Sequence, residues 1–309
     1  MTHAVIIPLF NKAAYIAQTL QSLLRQHKLP EELIIVDDAS TDHGLSITRE
    51  FLHHHTTKFG ACRIQIIELP ENKGPGHARN VGFAASSSTL ISFLDADDEY
   101  HPRLLEMAAE AFSRHELDFM VLNITFMPGR EIYPDLDPLK QYIEPIAPDL
   151  YLIQDPLRAV SSPHFIMGVG SNVITRRKWI NGHYYSAEAQ LNEGIDFWYR
   201  VLKGIVNKVP GKIALQTGAY LYVNEVPGSL SRKNYTHFKQ VELPPVISRY
   251  INSNDKHDRL LMGMIGERWY KHALQNLTSN HQKMCFVWYH RWFLKPYLGY
   301  LLLKMNFKS

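Results

Sequence analysis

Through roughly the first 125 residues, short continuous apolar runs alternate with longer segments whose apolar residues recur every three or four positions. Ala4 to Ile7 is β-branched-rich and reads as a strand buried on both faces, ending at Pro8. Asn11 is then expected to cap a helix in which Ile16, Leu20, Leu23 and Leu24 share one face. Leu33 to Val36 predicts a second buried strand. Ser40, Thr41 and Asp42 supply cap chemistry for a helix with Ile47 and Phe51 inward, and Ile64 to Leu69 predicts a third strand. Asn72 to Asn80, punctuated by Gly74, Pro75 and Gly76, reads as a loop entering a helix through Val81 and Ala84. A fourth strand follows at Leu90 to Leu94, then a helix after Pro102 that buries Leu104, Leu105, Ala108 and Phe112, and a fifth strand at Phe119 to Leu122.

This alternation implies an α/β fold with a mostly parallel sheet covered by helices on both faces. Ligands of such sheets bind outside the carboxyl ends of the strands. Asp37 and Asp38 sit at one such end and Asp95, Asp97 and Asp98 at another, so acids distant in sequence converge on one rim. Concentrated like charge is unfavourable unless a cation or a set of donors offsets it. Hard cations such as Mg²⁺ take one or two carboxylates together with the phosphates of a substrate. The rim is therefore expected to hold a metal and a phosphorylated ligand together. The plainer alternatives are that Asp95 and Asp97 cap a turn, and that Asp37 or Asp38 caps a helix beside Ser40 and Thr41.

Between Met127 and Pro163 closely spaced prolines predict a structured loop region. Ser171 to Thr175 resumes a strand. Glu193 to Lys203 predicts a helix with Ile195, Trp198, Tyr199 and Leu202 on one face, and strands are expected at Ile213 to Thr217 and Tyr220 to Val223. Beyond about Tyr235 the composition turns helical and aromatic, with Phe286, Trp288, Tyr289, Trp292, Phe293, Tyr297 and Tyr300 among Arg291, Lys295 and Lys304. The chain thus divides into residues 1–235 and a helical C-terminal region, 236–309. That region reads equally as a packed helical layer or as a surface in peripheral contact with a membrane.

With 309 residues and 45% hydrophobic composition the chain can bury a large core. Its formal charge of +3 gives no reason to expect nucleic acid as a partner. Two cysteines, Cys62 and Cys285, fit a reducing compartment. The N-terminus lacks signal-peptide character and no apolar run approaches the roughly 20 residues of a span, so a cytoplasmic location, peripheral at the inner face of the membrane, is the expectation. His53, His54 and His55 are consecutive, cannot share a helix face, and read as a solvated helix end.

Four segments in fixed order resemble the family 2 inverting glycosyltransferases of GT-A fold. They are Ile7-Pro8-Leu9-Phe10-Asn11, Val36-Asp37-Asp38-Ala39-Ser40-Thr41-Asp42, Asn72-Lys73-Gly74-Pro75-Gly76-His77-Ala78-Arg79-Asn80 and Phe93-Leu94-Asp95-Ala96-Asp97-Asp98. The likeness is strong to about residue 125, weaker to about 232, and does not cover the C-terminal segment. It implies a nucleoside diphosphate-sugar donor, UDP-sugar favoured, a saccharide or lipid-linked acceptor, and a role in surface polysaccharide or glycolipid synthesis of bacterial type. It further implies that Pro8, Phe10 and Asn11 approach the nucleotide and that Asp38 or Asp37 accepts from the base. Arg79 would line the nucleotide pocket, Asp95 would face the ribose or metal side, and Asp97, assisted by Asp98, would hold Mg²⁺ or Mn²⁺.

Transfer with inversion also needs a base for the acceptor hydroxyl. The family usually carries it as the Asp of a Glu-Asp pair, but this chain reads Asn192-Glu193-Gly194-Ile195-Asp196-Phe197-Trp198-Tyr199-Arg200, with Gly194 in that place. Either Glu193 or Asp196 takes over the role, or the alignment slips by a residue or two; the plainer alternative is that both are first-turn acids favoured by the helix dipole. Val223 stands where the family often has Arg, and Ser229 and Ser231 resemble its acceptor-side loop. Two other functions compete: a sugar nucleotidyltransferase, which would call for a glycine-rich basic loop directly after the first strand, and a degenerate nucleotide-sugar-binding protein without a working base.

Overall fold

The apolar runs become strands and the helical spacings become helices. In chain order these are β1 (His3–Leu9), α1 (Ile16–Leu24), β2 (Glu32–Asp37), α2 (Gly44–His54), β3 (Arg63–Glu68), α3 (Pro75–Ala85), β4 (Leu90–Phe93), β5 (Glu99–Tyr100), α4 (Leu104–Arg114) and β6 (Phe119–Met127). There follow β7 (Glu131–Tyr133), β8 (Ile143–Ala147), β9 (Leu150–Ile153), α5 (Pro156–Val160), β10 (Val173–Arg176), α6 (Arg177–Ile180), α7 (Glu193–Lys208) and β11 (Ile213–Asn224). Four helices close the chain: α8 (Pro245–Tyr250), α9 (Lys256–Asn276), α10 (Asn280–Tyr289) and α11 (Leu294–Asn306). This computed structural model describes the chain apart from residues 130, 135, 163–164, 166, 169, 187–192, 209–210, 227–233 and 307–309.

The strands form one mixed sheet in the order β3-β2-β1-β4-β10-β6-β11-β9-β8, with β5 added on β11 and β7 on β6. The expected parallel sheet occupies the β3-β2-β1-β4 half, and β6 and β11 are also parallel neighbours. Between these two parallel groups β10 inserts antiparallel to both β4 and β6. Every residue of β1, β2 and β4 is buried, as expected of strands covered on both faces. The period-two alternation divides them cleanly. Ala4, Ile6, Ile34, Val36, Ile91 and Phe93 pack in the layer with α3 and α7, whereas Val5, Ile7, Leu9, Leu33, Ile35 and Leu90 pack in the layer with α1, α2 and α4.

Four expectations are corrected. Pro8 does not end β1, which runs on to Leu9; it lies beyond the last β1–β4 pair, Ile6 with Phe93, where the strand has a single neighbour and a missing N–H is tolerated. Asn11 does not cap α1, whose preceding residue is Tyr15; it sits at φ 50° and serves the neighbouring loop. Residues 127–163 are not a loop region. They contain β7, β8, β9 and α5, with Pro145 on β8, the outermost strand, the kind of position to which proline is confined within sheets. The two strands expected over Ile213 to Val223 are one strand with a register break between Gln216 and Leu221, at which Gly218 takes φ 99°.

The C-terminal helices share the core layer of α5 and α7: Val246, Leu261, Ile265, Trp269, Phe286 and Phe293 belong to the same contiguous cluster as Trp198 and Leu202. A polar tie reinforces the joint, since Tyr199 Oη and Lys203 Nζ on α7 both donate to Asp258 on α9, at 3.0 and 2.6 Å. Gly263 and Gly266 let the last helices close on α9. A Cβ at those positions would lie 2.1 Å from Tyr300 Cγ and 2.0 Å from Phe293 Cζ.

Candidate functional site

Three strand ends build the rim. After β1, Asn11 joins two loops: its side-chain Oδ1 accepts from the backbone N–H groups of Thr41 (2.8 Å) and Asp42 (3.3 Å), and its backbone N–H donates to Ser40 Oγ (3.2 Å). Asp42 completes the clasp by accepting from the Ala13 N–H at 2.8 Å. The clasp leaves Phe10 exposed at the rim. After β2, both oxygens of buried Asp38 accept backbone N–H groups, from Lys73 at 2.9 Å and Gly74 at 2.7 Å. Asp38 therefore shapes the turn into α3, where Gly74 takes φ 87°. Asp37 accepts from the Ser40 N–H through Oδ2 (3.2 Å), while its buried Oδ1 has no partner among the described residues. Of the two acids, Asp37 keeps the spare acceptor.

The third strand end carries the acids. Asp95 accepts Arg79 Nη2 through Oδ1 at 2.6 Å, and Arg79 Nη1 donates to Glu193 Oε1 at 3.0 Å. The Arg79 guanidinium is buried and lies 5.3 Å from the Tyr185 ring centroid, a ring that stacks on Phe197 at 3.9 Å. Burial disfavours the charge on Arg79, but Asp95, Tyr185 and Glu193 outweigh it and hold the group more firmly protonated than usual. Glu193 keeps a second buried oxygen, Oε2, without a partner among the described residues. Burial pushes its pKa up from an ordinary 4.5 to about 7, against the opposing pull of Arg79.

Asp97 forms an ion pair with Lys12 Nζ, and its carbonyl accepts from Asn224 Nδ2 at 2.7 Å. Burial and then Asp95 raise the Asp97 pKa, with Lys12 opposing. Asp98 is enclosed. Ser171 Oγ donates to Asp98 Oδ2 at 2.6 Å and accepts from the Asp95 N–H at 2.9 Å, fixing the turn, and burial followed by Asp95 and Asp97 holds the Asp98 carboxyl well above the usual range. Gly170 presses on this turn so closely that a Cβ would fall 1.8 Å from Asp95 Oδ2. Among the described residues no three His, Cys, Asp or Glu side chains converge as a ready metal cage. The donor chemistry of Asp97 nevertheless suits a hard cation: it is a carboxylate beside two further acids, with one lysine set against it.

The two candidate bases separate. Glu193 joins the Arg79–Asp95 cluster; Asp196 does not. It accepts Arg200 Nε at 3.1 Å and Arg249 Nε at 2.8 Å, so both of its oxygens are held by arginines. Gly194 meets Gly168 backbone to backbone, and a Cβ on Gly194 would lie 2.2 Å from the Gly168 carbonyl oxygen. The position where the family carries Asp has no room for a side chain in this backbone. Val223 lies in β11 opposite Phe126, and Ser229 and Ser231 fall outside the described residues. Lys12, Ser171, Asn224 and Tyr185 are site residues that the sequence reading missed. Lys12 alone carried a signal, as a basic side chain directly after the Pro8–Asn11 segment.

The sequence profile described as Glycosyl transferase family 2 matches residues 4–180, more than half of the chain. The protein belongs to glycosyl transferase family 2. Among its relatives, the poly(ribitol-phosphate) β-N-acetylglucosaminyltransferase TarS of Staphylococcus aureus is 28% identical over 166 residues, covering 53% of this chain and 27% of TarS. The succinoglycan biosynthesis protein ExoU of Rhizobium meliloti is 35% identical over 127 residues, covering 41% of this chain and 34% of ExoU. The chain therefore spans about a third or less of these relatives. The crystal structure of S. aureus TarS 1–349 in complex with UDP-GlcNAc superposes with a TM-score of 0.61 at 23% identity, over 87% of this chain and 73% of that one. The shared fold is GT-A.

Proposed function

We propose that the protein is an inverting glycosyltransferase that moves a sugar from a nucleoside diphosphate-sugar, with UDP favoured, to a hydroxyl of a saccharide or lipid-linked acceptor in cell-surface polysaccharide or glycolipid synthesis on the cytoplasmic side. Family membership supports glycosyl transfer over the sugar nucleotidyltransferase alternative. The substrate class is supported by TarS, a poly(ribitol-phosphate) β-N-acetylglucosaminyltransferase whose crystal structure holds UDP-GlcNAc, and by ExoU, a succinoglycan biosynthesis protein. The observation that carries the reading is the bridge of Arg79 between Asp95 and Glu193, which ties the donor rim to a carboxylate with a spare buried oxygen.

In this mechanism Asp37 offers its open acceptor to the nucleotide base, and Phe10 and Pro8 line the approach. Asp97, backed by Asp98, would hold Mg²⁺ or Mn²⁺, which when bound supplies Lewis-acid stabilisation of the leaving diphosphate. Lys12, released from Asp97, adds a positive charge where that negative charge develops. Arg79 fixes Glu193 Oε1, and Glu193 Oε2 takes the proton of the attacking hydroxyl. Asp196 is a positioning residue that joins α7 to α8 through Arg249.

A binding protein without turnover is the second reading, favoured by the Gly194–Gly168 contact that excludes the family's usual Asp. A transfer assay over a panel of nucleotide-sugars with Mn²⁺ or Mg²⁺ separates the two. Donor binding with neither transfer nor donor hydrolysis would favour the binding protein.

A further inference from the structure

The last two helices are two-sided. The inner face of α11 packs Tyr297, Tyr300 and Leu301 on the core, while Leu294, Leu298 and Leu302, spaced four apart, are 52%, 61% and 63% exposed. On α10 the pair Met284 and Trp288, also four apart, is 71% and 70% exposed. Leu274, Met284, Val287, Trp288 and Leu294 line an open groove of 760 Å³ that joins the two stripes into one apolar surface. Scattered exposed apolar residues are ordinary, but a contiguous patch of this kind marks an interaction site.

The charge around the patch selects the partner. No Asp or Glu follows Glu267 in the sequence, whereas Lys283, Arg291 and Lys295 border the apolar stripes. Arg291 and Lys295 are exposed, and Arg291 lies 4.3 Å from the Trp288 ring centroid, at the boundary between apolar face and water. Glu267, which lines the neighbouring groove with Leu274 and Leu294, is already held by Lys271 at 2.8 Å, so a second copy of this chain docked symmetrically on the patch would bring these cations together largely unmatched. An anionic lipid surface complements both features: acyl chains receive the leucines, Met284 and Trp288, and headgroups receive the basic border. Trp and Tyr favour the interfacial depth at which Trp288, Tyr289 and Trp292 would lie. No helix of the described residues is long and apolar enough to cross a membrane, so the contact is in-plane.

We propose that the outer faces of α10 and α11 form an interfacial binding surface for anionic phospholipid, with the groove between Met284, Trp288 and Leu294 receiving an acyl chain. The surface is independent of the chemistry assigned to the strand-end rim.

The test is co-sedimentation of the full chain with vesicles of phosphatidylcholine alone or mixed with phosphatidylglycerol, together with quenching of tryptophan fluorescence by brominated lipid. Anionic vesicles should pellet the protein and brominated chains should quench Trp288 emission. Trp288→Ser with Leu298→Ser, both at exposed positions, should weaken partition about a hundredfold or more. Lys283→Glu, Arg291→Glu and Lys295→Glu together should weaken it about a hundredfold. An unchanged far-ultraviolet circular dichroism spectrum and thermal midpoint report that each variant is folded. Absence of pelleting, equal partition to neutral and anionic vesicles, or unchanged partition in either folded variant would overturn the proposal. So would a concentration-dependent dimer in sedimentation velocity that Trp288→Ser abolishes, since that would assign the face to self-association.

Discussion

Glu193→Gln is the perturbation that tests the site most directly. The amide keeps the shape and can still accept from Arg79 Nη1, so the Arg79–Asp95 pair and the donor rim persist, but Oε2 no longer takes a proton. Loss of a general base costs about 10²- to 10⁴-fold in turnover. The wild-type pH profile follows from the raised pKa of about 7, caused by burial and only partly opposed by Arg79. Below pH 7 Glu193 is protonated and inactive as a base, so transfer should rise about tenfold per pH unit and level off above 7.

The same displacement has a stability signature. Between pH 4.5 and 7 the folded protein holds a proton that the unfolded chain has released, so stability falls as pH rises through this window and is flat above it. At about 1.4 kcal/mol per pH unit the loss is about 3 kcal/mol, and Glu193→Gln should remove it. Transfer at saturating donor, followed by nucleoside diphosphate release from pH 5 to 9, reads the rate; denaturant midpoints over the same range read the stability. Turnover in Glu193→Gln within about threefold of wild type, with an unchanged pH profile and intact donor affinity, would refute the assignment.

The other expected outcomes are these. Restoring the family's Asp by Gly194→Asp should not increase transfer; its Cβ would fall 2.2 Å from the Gly168 carbonyl oxygen, and overpacking against backbone should cost about 3 kcal/mol or more, read as a lowered denaturant midpoint. Asp97→Asn should abolish the metal-dependent part of UDP affinity in calorimetric titration with Mn²⁺ while the fold survives, whereas Lys12→Met, by freeing Asp97, should tighten Mn²⁺ binding in the absence of nucleotide about tenfold; unchanged titrations in both would remove Asp97 from the metal site. Asp196→Asn should destabilise by about 1–3 kcal/mol, less than a fully buried pair because the Arg249 side chain is 44% exposed, and turnover per folded molecule should stay within about threefold of wild type.

The first half of the fold is legible because strands covered on both faces leave continuous apolar runs, and β1, β2 and β4 are buried at every residue. Residues 127–163 look like loop in the sequence for the converse reason. β8 is an outermost strand, only partly buried, and its Pro145 carries the same local signal as a turn. Gly218 likewise made one bulged strand look like two. The acids of the rim could be placed because strand ends are local features; their partners could not, since the Arg79–Glu193 bond spans 114 residues.

The two acids of α7 show where local geometry stops being informative. Three residues advance a helix by about 300°, which leaves Asp196 about 60° around the axis from Glu193. On a helix with a single buried face, that offset would keep both acids on one rim. α7 is instead buried nearly all round, with Ile195, Phe197, Trp198, Tyr199 and Val201 all in the core, so a 60° turn moves a side chain from one packed neighbour to another. Glu193 meets Arg79 from α3, and Asp196 meets Arg249 from α8, a helix beyond the reach of the family likeness. Burial fixes both carboxylates, but which one retains a free oxygen is decided by the number of arginines each meets: one for Glu193, two for Asp196. That difference, and not their spacing along the helix, is the ground on which we propose Glu193 for proton transfer and Asp196 for holding the C-terminal helices against the sheet.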